Sequence, residues 1–204
     1  MRFPLFASFI IFCAWLGYEL HKRRSLDEKS SQAFWEREAA ANKTRRRPLD
    51  DLEYIRIPFD DLPMDVMPDD PSIDEYRETL RSLSENPIVN FTGISNTDLK
   101  LKYGAPNIDL LSRYDQSYTT LVRTLQKWAE RLHQNGYPQE ALRVLEFAVS
   151  TRTDVSATYR LLAELYIQAG QTEKIKALIP VAEGLNSSLS THNAALLKER
   201  LETL

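Results

Sequence analysis

The chain has 204 residues, 43% hydrophobic and 27% charged, with a formal net charge of -3. That length holds one domain plus appendages, the balance is that of a globular chain and not a disordered one, and no global basic field exists to recruit nucleic acid. The one cysteine, Cys13, excludes an internal disulfide and any multi-cysteine zinc site, and the glycines at 17, 93, 104, 136, 170 and 184 lie too far apart for a phosphate-binding loop.

Phe3 to Tyr18 is a run of 16 residues without a formal charge. As a helix it spans roughly 24 Å, a little short of the hydrocarbon core of a bilayer. Leu20 extends it, and Arg2 and Lys22 can snorkel at its ends. The basic cluster His21-Lys22-Arg23-Arg24 follows the run instead of preceding it, and no small-residue cleavage site closes it, the wrong order for a secretory signal peptide. Bulky Phe12 before Cys13 argues against a lipoprotein site. The expectation is a single-pass transmembrane helix, an uncleaved anchor over residues 1–24 embedded through residues 3–20. Three basic residues after the span, against Arg2 before it, place the C-terminal body in the cytoplasm.

Residues 25–48 are rich in Ala, Glu, Arg and Lys and predict a charged juxtamembrane helix that stops before Pro48. Its Trp35 and Arg45 to Arg47 could meet anionic headgroups, or the segment is a solvated spacer, since Asp27, Glu28, Glu36 and Glu38 offset much of the charge. Residues 49–71 form an acidic strap punctuated by Pro58, Pro63, Pro68 and Pro71, which block regular structure. Leu52, Tyr54, Ile55, Ile57 and Phe59 are too apolar for a free linker, so the strap should lie partly on the body. Its carboxylates lack the calcium-loop pattern and read as solvated acids.

Residues 72–106 open with a capping box, Ser72-Ile73-Asp74-Glu75, after Pro71. Ile73, Tyr76, Leu80 and Leu83 mark one face of a helix ending at Asn86-Pro87, and an irregular segment follows. Asn90-Phe91-Thr92 matches a glycosylation acceptor, irrelevant for a cytoplasmic body.

From 107 to 204 the chain is expected to be a helical domain. Asn107 can cap a long helix with apolar residues every three or four positions from Ile108 to Leu132, ended by Gly136. Pro138 suits the start of the next helix, Thr153 or Asp154 can cap a third, Gly170 closes it, and Thr172 can cap a fourth. Leu189, Leu196, Leu197 and Leu201 mark a last helix that covers the open end. Within this region one helical hairpin is written twice. At an offset of 34 residues Leu125 falls on Tyr159, Trp128 on Leu162, Ala129 on Ala163, Leu132 on Tyr166, Gly136 on Gly170, Leu145 on Ile179 and Ala148 on Ala182.

This period, with its large–large–small–large rhythm, a glycine and a second apolar helix, resembles the tetratricopeptide repeat. Three features depart from that pattern: Ile175 stands at a small-residue position, Pro180 lies inside the fourth helix, and Thr153 replaces the usual inter-repeat proline. The resemblance implies an all-α fold, a short α-solenoid of two such hairpins plus a capping helix. It also implies a concave face, built from the first helix of each hairpin, that holds a protein or peptide. Its outward positions are Arg123, Gln126, Glu130, His133, Arg160, Glu164 and Gln168, mixed in sign and unlike a basic clamp for acidic C-termini. The same residues also read as ordinary solvated helix positions, or as covered by the 88–106 segment folding back.

No catalytic, cofactor-binding or metal-binding residues are assigned. His21, His133 and His192 fall in no metal-binding spacing, and no nucleophile motif is present, so an enzyme with a small-molecule substrate is not expected. The expected function is a membrane-anchored, non-catalytic protein–protein interaction scaffold. The alternative is a structural subunit of a membrane or envelope complex.

Overall fold

The computed structural model describes residues 3–203, with side chains described for all of these except 3–7 and 23–29. Among the described residues the secondary structure is helical, and extended pairing is limited to one bridge between Tyr54 and Val89. The fold is all-α. The chain divides into two compact units, residues 1–47 with 96–106, and residues 48–95 with 107–204.

The first unit is built on α1 (Phe3–Asn42), which runs unbroken for 40 residues through the apolar run and into the charged segment. The expected transmembrane helix is corrected by this element. Among the described residues no helix is long and apolar enough to cross a membrane. Glu19 closes the uncharged run after 16 residues, roughly 24 Å of helix against a hydrocarbon core of about 30 Å. The single-pass membrane assignment and the anchor over residues 3–20 are therefore withdrawn. So is the orientation that placed the body in the cytoplasm, which presupposed a span. Arg2, invoked for that orientation, lies outside the described residues, as do the side chains of Arg23, Arg24, Asp27 and Glu28.

The C-terminal part of α1 is held by α3 (Asn96–Tyr103). Glu38 accepts from the Thr97 hydroxyl and pairs with Lys100, and Arg37 pairs with Asp98. The Lys100 and Thr97 bonds hold the Glu38 carboxyl below its usual range. The chain beyond α1 then bonds back to the end of α3, Arg47 N–H donating to the Tyr103 carbonyl at 3.0 Å and Ala105 N–H to the Thr44 carbonyl at 3.1 Å. Gly104 permits this approach. Its φ is +94°, and a side chain there would place Cβ 2.2 Å from the Arg45 carbonyl oxygen.

In the second unit the acidic strap lies on the helical core, with Leu62 buried in it and Ile55, Ile57, Phe59, Met64 and Val66 packed against it. Ile55 N–H donates to the Ile88 carbonyl at 2.9 Å, so the strap pairs with the segment after α2 (Pro71–Ser84). The cap of α2 differs from the one read in the sequence. Asp70, not Ser72, is the N-cap, accepting from Ser72 N–H at 2.9 Å and Ile73 N–H at 3.3 Å. Pro71, with no N–H to satisfy and a preset φ, fits the first helical position, which moves the cap one residue upstream of it.

Four of the remaining helices form two hairpins, α4 (Ile108–Gln134) with α5 (Pro138–Ser150) and α6 (Ser156–Gln168) with α7 (Thr172–Glu183), and α8 (Ser190–Glu202) packs on α6 and α7. The same turn closes α4 and α6. Gly136 and Gly170 both have positive φ, and the residue after each donates five positions back, Tyr137 to the Leu132 carbonyl and Gln171 to the Tyr166 carbonyl. Leu125, Trp128, Ala129 and Leu132 on α4 are buried, as are Tyr159, Leu162, Ala163 and Tyr166 on α6. On the second helices Leu145, Ala148 and Ala182 are buried and Ile179 half-buried. Ile175 is fully buried on α7, and Pro180 sits inside that helix.

The expected side-chain caps of the later helices do not form, and the two candidates at the start of α6 make other bonds. No side-chain bond caps α4, α6 or α7. Thr153 instead turns the chain by accepting from Val155 N–H, and its carbonyl accepts from the buried Tyr159 hydroxyl at 2.9 Å. Asp154 accepts from Ser187 at 2.5 Å. Asn193 of α8, wholly buried, accepts from Ser156 and donates to the Asp154 carbonyl at 2.9 Å, so the last helix is pinned to the start of α6. Leu197 is buried on α8, Leu196 and Leu201 half-buried, and Leu189 stands exposed just ahead of it.

Candidate functional site

The residues singled out from the sequence lie on α4 and α6, and the structure brings these helices side by side. Thr158 on α6 is buried and donates to Gln126 Oε1 on α4 at 2.7 Å. Gln126 in turn donates from Nε2 to Glu130 Oε1, one turn along, at 2.8 Å. Further on, His133 Nε2 lies 4.0 Å from Glu164 Oε1, and Gln168 donates to the same Glu164 oxygen at 3.3 Å. The two inter-helix contacts advance in the same direction along both helices, so α4 and α6 run parallel.

Gln126 is the member whose place differs from an outward position. It is only 8% exposed, and both ends of its amide are engaged. A buried amide with partners fixes the geometry of its neighbours, because breaking it leaves polar groups unpaired. Gln126 therefore sets the two helices in register, while Arg123, Glu130, Arg160, Glu164 and Gln168 stand exposed beside it and His133 is partly covered. Two residues of this face escaped the sequence reading. Lys127 is exposed one turn after Arg123, a signal available in the spacing. Thr158 had none, since a threonine in a first turn reads as a helix-start residue until its partner is seen.

Among the described residues Arg123, Lys127 and Arg160 form no ion pair. The order of Arg160 and Glu164, with the base N-terminal to the acid at one turn, is the weaker arrangement for a pair within a helix. Glu164 is bonded instead to Gln168. The face thus carries charge that the fold leaves unneutralised.

Behind this face several polar groups are tied up internally, while Trp128 Nε1 and His133 Nδ1 are buried without a hydrogen-bond partner among the described residues. Tyr118 donates to the Thr151 carbonyl at 3.2 Å, and Asn90 donates to the Tyr118 hydroxyl and to the carbonyls of Thr151 and Arg152 at 2.9 to 3.1 Å. Burial pushes the Tyr118 phenol up to about 12. Tyr166 is also pushed up by burial, and it donates to Glu146 at 2.7 Å. Burial alone would raise the Glu146 carboxyl, but its bonds to Lys174 and Tyr166 outweigh that and hold it below the usual range. Glu146 borders an open cleft of about 540 Å³ between the strap and α5, with Asp60, Asp61, Arg143 and Phe147 around it. With Glu146 committed to Tyr166 and Lys174, this cleft has the poorer claim to a ligand.

No protein-family model matches this chain, and no match was found among curated proteins or solved structures. The functional reading rests on these residues alone.

Proposed function

We propose that the chain is a non-catalytic protein-interaction scaffold. In this reading α4/α5 and α6/α7 form a short stack of two tetratricopeptide-like hairpins closed by α8, and the face shared by α4 and α6 receives a protein or peptide partner. The observation that carries it is the Gln126–Thr158 bond, which fixes the two helices side by side and leaves charged residues of both signs exposed along them. A face built on rigid, registered helices can present such groups in a defined pattern. Charged side chains so arranged steer and orient a partner more than they stabilise the free protein.

The test is site-specific photocrosslinking of the full chain in its native cells. A photoreactive phenylalanine replaces Lys127 or Glu164 on the face, or Ala177, exposed on α7, as a control. Discrete adducts are expected from the two face positions and not from position 177. Adducts from all three alike, or none from the face, would refute the reading.

A further inference from the structure

The charges on the α4–α6 face are sorted along the helices. Arg123 and Lys127 precede Glu130 on α4, and Arg160 precedes Glu164 on α6. Positions 123, 127 and 130 are spaced four and three apart and fall on one side of α4, as 160 and 164 do on α6. On the register set by the Gln126–Thr158 and His133–Glu164 contacts, Arg160 lies level with the step between Lys127 and Glu130 and Glu164 lies level with His133, so along the face the bases come before the acids. The face has a cationic half and an anionic half.

From this geometry we infer that the partner segment is an extended peptide of mixed charge, with a carboxylate on the cationic half and a basic side chain on the anionic half. The inference rests on the protein-binding reading above and specifies what is bound. At 1.5 Å of rise per residue, the levels of Arg123 and Glu130 are about 10 Å apart and those of Arg160 and Glu164 about 6 Å apart. An extended chain advances about 3.3 Å per residue, so its acid and base stand two to three residues apart.

A partner of a single sign is disfavoured on this surface. A wholly acidic segment meets Arg123, Lys127 and Arg160 but is repelled at Glu130 and Glu164, and a wholly basic one suffers the reverse. The pattern is not explained by the stability of the helices themselves. No ion pair neutralises the three cations among the described residues, and the Arg160-to-Glu164 order is the less favourable one within a helix.

The experiment uses the full chain and three labelled synthetic peptides in one polar host sequence, read by fluorescence anisotropy at low salt. The first carries Asp and Arg three residues apart, the second two Asp at those places, the third two Arg. The mixed peptide should bind about tenfold more tightly than either of the others, with affinity falling as salt is added. Arg160→Glu and Glu164→Arg, both at exposed positions, should each weaken it about tenfold while the thermal midpoint stays unchanged. Arg123→Glu provides a second cationic-half variant should Arg160→Glu disturb folding. If a single-sign peptide binds as tightly as the mixed one and Arg160→Glu or Glu164→Arg alters its binding, the face is a docking site but the mixed-charge inference is overturned. If no peptide binds, or neither variant changes binding, the inference and the docking reading fall together.

Discussion

Arg131 grips Asp70 with two donors, Nε at 2.9 Å and Nη2 at 2.7 Å, both on Oδ2, while Oδ1 of the same carboxylate caps α2. One side chain thus ties the start of α2 to the end of α4, 61 residues further along the chain.

This pair makes stability depend on acid. The Arg131 bond, with those from Ile73 and Ser72, holds the Asp70 carboxyl below its usual range against a smaller effect of burial. A carboxylate with a depressed folded pKa contributes stability that is present above its unfolded pKa, about 3.9, and is lost as pH falls through the folded value. Asp70→Asn should therefore lower the thermal midpoint at neutral pH. The gap to the wild type should close as both proteins are measured at progressively lower pH below about 4. A gap that stays constant down to acid would mean that the carboxylate's charge plays no part.

Alkali should act on the buried phenols. Tyr118 is pushed up to about 12 from 10.0 by burial, and Tyr159 and Tyr166 are raised for the same reason. These groups are neutral in the fold and ionise first when unfolded, so their contribution is complete below about pH 10 and is lost as pH rises toward the folded values. Thermal midpoints should fall steeply above about pH 10, in parallel with the ultraviolet signature of tyrosinate. In Asn90→Ala, which leaves the Tyr118 hydroxyl and two carbonyls without that donor, stability at neutral pH should already be lower by about 1–3 kcal/mol.

Two glycines with the same backbone sign should respond differently to alanine. Gly93 has φ of +77°, and a Cβ there would lie 1.7 Å from the Asn186 carbonyl oxygen. Gly136 has φ of +83° and nothing within 4 Å. Gly136→Ala bears only the left-handed backbone cost, about 1–2 kcal/mol. Gly93→Ala adds a backbone collision that forces two loops apart and should destabilise by clearly more. Urea denaturation of the two variants gives the comparison, and an equal loss would disprove the close approach.

Ala163 and Glu164 are neighbours with opposite surroundings. Ala163 has no exposed surface, whereas the Glu164 side chain is 48% exposed. Ala163→Leu should overpack the interior and cost about 1–3 kcal/mol. Glu164→Ala should change stability by less than about 0.5 kcal/mol. Denaturation midpoints decide it, and equal effects would mean that the burial pattern on α6 is misassigned.

The all-α fold and the order of helices from α4 to α8 were legible in the sequence, because apolar spacing, turn glycines and Pro138 act within a few residues of one another. Gly136 and Gly170 stop their helices by backbone conformation alone, which needs no distant partner. The exposed members of the candidate face were legible for the same reason, since a helix with one buried side must leave the other side outward. What tertiary structure decided are the places where two distant residues meet. Ser72 has the better local cap pattern, yet Asp70 holds the position with Arg131 oriented onto it. Gln126 reads as a surface residue until Thr158 arrives to bury its amide, 32 residues away in sequence. The N-terminal run reads locally as a span, but crossing a bilayer demands a sustained length of apolar helix, and α1 carries Glu19 and the charged segment within the same continuous helix. Local chemistry sets where helices begin, end and face. The burial of a polar side chain is settled only by its partner, because its desolvation is tolerable only once a hydrogen bond replaces water.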